Sequence, residues 1–178
     1  MIIENTAKSI ATKLKHMNPA ETKSIETMTH GLILTMNGAA SIASVLLVGL
    51  LIGQTSTISV ALVSFIILRF FSGGHHLKTA MKCILFSVAI FIAITIITNN
   101  LSVNFIFTTS LSIFLLLIFA PSMLGEKTLI NKKRYPFMKL ASVLIVLSNF
   151  YFQSDVIGLT FLVQSILTVH SLKEVKNI

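Results

Sequence analysis

Six apolar stretches, roughly 30–53, 56–71, 83–98, 104–120, 140–153 and 156–171, fill most of this chain. They limit the fold more than any other feature. In hydrocarbon every backbone N–H and C=O must find a partner within its own protein, so long apolar runs become helices. A bilayer core needs about 20 helical residues, with a range of about 17–25. The first stretch is long enough, the next three lie near the lower limit, and the last two are short. The expected fold is all-α and integral to the membrane, with about six transmembrane helices. The alternative is four spans followed by a re-entrant pair.

The charges add an orientation. Lys and Arg stand at 8, 13, 15 and 23, at 69, 78 and 82, at 127, 132, 133, 134 and 139, and at 173 and 176. These are all fourteen, and a six-span path puts every one on the same side. The opposite connections, Gln54–Thr55, 99–104 and 153–155, have none. The positive-inside rule then predicts both termini in the cytoplasm. Only 11% of the residues are charged, against about 25% in soluble domains. The formal charge of +8 reads first as a topology signal. Its second use is contact with an anionic cytoplasmic leaflet or an acidic peptide. Nucleic acid is not expected as a partner.

Ahead of the first stretch, Ile3, Ala7, Ile10, Leu14 and Met17 recur at spacings of four and three. They form one apolar stripe with Lys8, Lys13 and Lys15 off it, an amphipathic helix suited to a membrane surface. The alternative is a cap packed on the protein's own loops. This N-terminal region lacks the apolar core and small-residue site of a cleavable signal peptide. The expected organisation is a single membrane domain over 1–178. It comprises an amphipathic helix and linker (1–27), transmembrane helices (28–171) and a cytoplasmic tail (172–178). No internal repeat and no nucleotide-binding glycine pattern is evident.

Chemistry gathers in "RFFSGGHHLKTAMKC", residues 69–83, on the basic side. The segment holds one of two arginines, a Gly-Gly pair, two adjacent histidines and the only cysteine. Cysteine with histidine is the minimum for a thiol nucleophile and its base. Thiolates are favoured by nearby cations and at helix N-termini, and Lys82, Lys78 and Arg69 precede Cys83. His76 and Cys83 are seven residues apart, and one helix through both would separate them by about 10 Å along its axis. A base works within about 3 Å of its proton, or through one water. A dyad therefore requires the histidine to lie on a turn that folds back, which Gly73 and Gly74 permit. His75 reads as an orienter, a second base or a bystander. The blander readings are a small apolar cysteine, snorkelling polar ends and an ordinary tight turn. A metal site is not expected, since His16, His30 and His170 are scattered. No cofactor is implied.

Arg69, Gly74-His75-His76 and Cys83 resemble the core signature of the accessory gene regulator B (AgrB) family. There an arginine ends a span, a Gly-x-His follows, and a cysteine comes seven residues after the histidine. Phe119-Ala120-Pro121 is similar to that family's Tyr-Ala-Pro ahead of a basic loop, with Lys132-Lys133-Arg134 as the basic cluster. The likeness covers nearly the whole chain. It departs at Ile33, where many members have Gln or Glu, and at Thr128-Leu129, where a Lys-Pro pair is common. Both departures bear on substrate recognition more than on chemistry.

The resemblance implies a membrane cysteine endopeptidase of Gram-positive quorum sensing. It would cut the C-terminal tail from a short AgrD-like autoinducer precursor at the cytoplasmic face and promote thiolactone or lactone closure. His76 and Cys83 would be catalytic. Arg69, Gly74, His75 and Lys78 would bind or orient substrate, and a homodimer would be in keeping with the family. The competing reading is a non-enzymatic peptide exporter or channel. Asn37, Ser41, Ser44, Ser64, Ser87 and Thr95 would then line a path, although no carboxylate lies within the spans to couple transport to protons.

Overall fold

A computed structural model describes residues 2–73, 79–122 and 134–176. Among these the chain is helical, with no strand: α1 (Ile2–Met17), α2 (Ile25–Leu51), α3 (Thr55–Ser72), α4 (Ala80–Asn100), α5 (Phe105–Phe119), α6 (Tyr135–Leu147), α7 (Asn149–Phe152) and α8 (Asp155–Lys176). Local chemistry sets the boundaries. Gly53 takes a left-handed φ of 68° after α2, and the following Gln54 N–H returns to the Gly49 carbonyl at 2.9 Å. The Asn104 side chain accepts from the Ile106 and Phe107 amides at 2.9 and 3.3 Å and so starts α5. Pro136 stands in the first turn of α6, where its missing N–H costs nothing. Gln153, with φ 49°, ends α7.

Four helical segments are long and apolar enough to cross a membrane: Ile25–Leu51, Thr55–Ser72, Met81–Asn100 and Tyr135–Phe152. The shorter apolar ones are Phe105–Phe119 and Asp155–Val169. The expected short pair was the final two stretches: the last is among the shorter ones, but the fifth is long enough to span and the fourth is short instead. The fifth stretch begins earlier than its apolar run, because Pro136 is tolerated at a helix start. It also continues through Ser148, whose φ and ψ of −57° and −24° stay helical. The fourth stretch is held to 15 residues by the Asn104 cap and by Pro121.

The chain forms two compact units. The first takes in 1–48 and 77–89, hence α1, most of α2 and the start of α4. In it Ala7 and Ala11 of α1 are buried, whereas Ile10, Leu14 and Met17 are exposed. Lys15 closes α1 by donating to the Pro19 and Thr22 carbonyls, both at 2.9 Å, a cation at the negative end of a helix. In α2, Asn37 and Val45 are buried.

The second unit takes in 49–76 and 90–178. Within it α8 packs against both α3 and α5, and α6 against the same two helices. Leu68, Leu116, Ala120, Val146 and Phe161 meet at the centre. Thr108, Thr109, Ser112, Ser142, Thr160, Ser165 and Thr168 are buried too, while Phe107, Phe114, Leu117 and Ile118 face outward. This inverts a soluble protein. Lipid solvates apolar side chains, so small and hydroxylated residues take the helix interfaces. All of these hydroxyls but that of Thr109 return to carbonyls four residues back, as Ser112 does to Thr108 at 2.6 Å and Thr160 to Val156 at 2.6 Å. Gly158 lets α8 close on α5, since a Cβ there would lie 2.5 Å from Thr108 Oγ1.

Candidate functional site

The end of α3 is held by two other parts of the second unit. Gly73 follows the helix with φ 76° and ψ −156°. This conformation suits glycine, and a Cβ there would run into the Ser122 carbonyl oxygen. The Ser122 N–H, just past the cis Ala120–Pro121 peptide, donates to the Ser72 carbonyl at 3.0 Å. Gln164, fully buried in α8, donates from Nε2 to the Gly73 carbonyl at 2.7 Å and to Ser72 Oγ at 3.0 Å. Its Oε1 accepts from Arg69 Nη1 at 3.5 Å, and the Arg69 guanidinium also lies 5.6 Å from the centre of the Phe65 ring. The last carbonyls of a helix lack intrahelical donors, and here side chains and backbone from other segments supply them.

Cys83 lies in the first unit, in the first turn of α4. It is half-buried. Its N–H donates to the Thr79 carbonyl at 3.2 Å, and its own carbonyl accepts from Ser87 Oγ at 2.9 Å. Helix α4 begins at Ala80, and Thr79 before it is a non-helical bend. Cys83 is therefore the fourth residue of its helix. Of the candidate catalytic and substrate-binding residues, the structure describes Arg69 and Cys83. Gly74, His75, His76 and Lys78 lie outside the described residues, as do Thr128-Leu129 and Lys132-Lys133. Among the described residues no three His, Cys, Asp or Glu side chains gather as ligands for a metal.

Sequence reasoning passed over Gln164, Ser72 and Ser122. The available signal is a lone carboxamide in an otherwise apolar stretch, a polar group that must find partners inside the bundle. Ser122, directly after Phe119-Ala120-Pro121, bonds Ser72, directly ahead of the Gly-Gly pair.

The family model of accessory gene regulator B matches residues 4–172. The chain belongs to the AgrB family. A protein named as AgrB-like from Halalkalibacterium halodurans is 33% identical over 94 residues, which cover 53% of this chain and 48% of that protein. The chain thus spans about half the length of the curated relative it matches. No solved structure gives a significant match. Four long apolar helices agree with a multi-pass membrane protein.

Proposed function

We propose that this AgrB-family chain is a membrane cysteine endopeptidase that cleaves the C-terminal tail of a short AgrD-like precursor. His76 accepts the proton of the Cys83 thiol, and Sγ attacks the carbonyl carbon of the scissile peptide bond. The C–N bond breaks, the tail amine takes the proton from His76, and an acyl-thioester is left on Cys83. A cysteine or serine of the precursor then attacks the thioester, forms the thiolactone or lactone and restores the Cys83 thiol. Exchange of one thioester for another is close to isoenergetic, so the reading requires no ATP. Holding the two sulfurs together lowers the barrier by removing the entropy cost of encounter.

The observation that supports this most is the start of α4. Cys83 stands on the first helical turn behind a non-helical Thr79, and a left-handed Gly73 stands at the other end of the connection. The helix that carries Cys83 therefore starts only three residues ahead of it, at Ala80. Arg69, Gly74, His75 and Lys78 are read as binding or orienting groups for the precursor. The exposed Ile10, Leu14 and Met17 of α1 fit the surface of the cytoplasmic leaflet, where an unexported precursor would be met. The test is cleavage of the precursor by the chain in lipid vesicles. Cys83→Ala and His76→Ala are each expected to abolish tail release while membrane insertion persists. Tail release by Cys83→Ala at the normal rate would sink the reading.

A further inference from the structure

We infer that Thr29, Asn37 and Ser41 form a stripe on α2 that binds the main chain of an extended, uncharged peptide segment within the membrane. Naming that segment as part of the precursor rests on the proposed function. Among the described residues four buried side-chain oxygens lack a hydrogen-bond partner, and three of them are on α2: Thr29 Oγ1, Asn37 Oδ1 and Ser41 Oγ. The fourth is Ser122 Oγ. Asn37 is 7% exposed. The other buried carboxamides are bonded, Asn149 to Thr109 and Ser154, and Gln164 to Ser72 and Gly73. Buried hydroxyls in α5 and α8 return to their own helix, as Ser112, Thr160 and Thr168 do, and those of Thr29 and Ser41 do not. Unmet hydrogen-bonding capacity is costly away from water, and α2 concentrates it within the first unit.

The spacing and the chemistry point to a peptide backbone. Positions 29, 37 and 41 are multiples of four apart, so they lie along one shallow ridge of the helix. Positions four apart rise about 6 Å, and groups on one side of an extended chain repeat about every 6.6–6.8 Å. Thr29 to Ser41 covers about 18 Å, or five to six extended residues. A carboxamide and two hydroxyls donate as well as accept, which is what main-chain amides require. From Gly31 to Leu51 there is no Lys, Arg, Asp or Glu, so a charged ligand would find no counter-ion on α2. An extended segment in hydrocarbon cannot satisfy its own N–H and C=O groups, and the stripe supplies partners. Helix α2 is also the least covered of the four long apolar helices, with 11% of its span buried against 17% or more in the others. It keeps surface for a further chain.

The experiment uses the full chain and synthetic precursor. In a Cys83→Ala background, precursor binding in vesicles is compared with and without Asn37→Leu. Asn37→Leu is expected to weaken binding about 10-fold, as loss of one or two hydrogen bonds does, and Ser41→Ala and Thr29→Val about 3-fold each. With Cys83 intact, Asn37→Leu should raise KM and leave kcat little changed. Precursor copies N-methylated at single main-chain amides lose one donor each. At least one should bind the Asn37 chain about 10-fold less well and show no further loss with Asn37→Leu, which marks a direct contact. Without peptide, Asn37→Leu removes an unmet polar group and should raise the melting temperature in detergent by about 2–4 °C. Asn149→Leu, which breaks bonds already made, should lower it.

Normal binding by Asn37→Leu overturns the inference, and so does an N-methyl series that treats both chains alike. A melting temperature lowered as far as by Asn149→Leu shows that Asn37 already has a partner, a water or its own chain, and also overturns it. Conversion of a dimer to a monomer by Asn37→Leu makes the stripe a contact between copies and removes the peptide site. If Asn37→Leu fails to insert, Ser41→Ala and Thr29→Val decide on the same readings. Failure of the chain with Cys83 intact to cleave the precursor removes the proposed function and the precursor as occupant. Normal cleavage beside unaffected binding in Asn37→Leu removes this inference alone.

Discussion

Two glycines illustrate different demands on a single residue. At Gly158 the obstacle to a side chain is the Thr108 hydroxyl at 2.5 Å, with Asn149 Nδ2 at 3.0 Å. At Gly73 the obstacle is backbone, the Ser122 carbonyl, and φ is positive as well. Gly158→Ala should therefore destabilise by about 1–3 kcal/mol through overpacking, and Thr108→Ala in the same chain should relieve most of that loss. Gly73→Ala should cost about 1–3 kcal/mol from strain at a left-handed position, and no side-chain truncation at 122 should relieve it. Melting temperatures of the single and double variants in detergent check both statements. Full relief of Gly73→Ala by Ser122→Gly would contradict the second. In Cys83 the residue-scale chemistry is simple: a half-buried thiol on a first helical turn, with its backbone already bonded.

Helix α5 owes its start to one residue. The Asn104 carboxamide oxygen takes the Ile106 and Phe107 amides, two of the four N–H groups that a helix start leaves open. Asn104→Ala should lower stability by about 1 kcal/mol, and Asn104→Asp should retain most of it. Thermal unfolding in detergent would register the difference, and equal losses from the two variants would refute the cap. Helices α5 and α8 pack on each other through Gly158 and the threonines at 108 and 109. Beside them Asn149 donates to Thr109 Oγ1 at 2.9 Å and to the Ser154 carbonyl at 3.1 Å. This ties the turn between α7 and α8 to α5. Polar residues therefore do two separate jobs in the second unit, one at each of these clusters.

At the scale of the whole molecule the basic residues carry an orientation. With all fourteen Lys and Arg on one set of connections, the positive-inside rule expects Gln54 and Gln153 on the outer side and Lys8 and Arg134 on the inner side. In a Cys83→Ala background, single cysteines at these positions make this measurable. A membrane-impermeant maleimide should label 54 and 153 in intact cells and label 8 and 134 only after permeabilisation. The reverse pattern would invert the arrangement and take Cys83 out of reach of the proposed cytoplasmic precursor. The distribution of apolar surface agrees with membrane residence: Leu50, Leu51, Phe107, Phe114 and Leu144 are all exposed, which water would penalise and lipid does not.

Much of this was legible in the linear chain, and the reason is locality. Apolar runs mark helices whatever they pack against, because backbone hydrogen bonding in lipid is satisfied within the segment. Asn104, Pro121 and Pro136 act on residues beside them, so they mark helix ends. The spacing of Arg69, Gly74-His75-His76 and Cys83 and the Phe119-Ala120-Pro121 stretch pointed to the AgrB family that the chain belongs to. Segment length was read less well, because Pro136 is tolerated in a first helical turn and the fifth segment begins ahead of its apolar run. What only the tertiary structure decided is non-local. Gln164 reaches Ser72 and Gly73, and Ser122 reaches Ser72, across long separations in sequence. Hydrophobic periodicity says that a carboxamide in a span must find partners, but not which ones. Partner choice depends on how α8 and the end of α5 dock on α3, and that docking is set by packing between helices far apart in the chain.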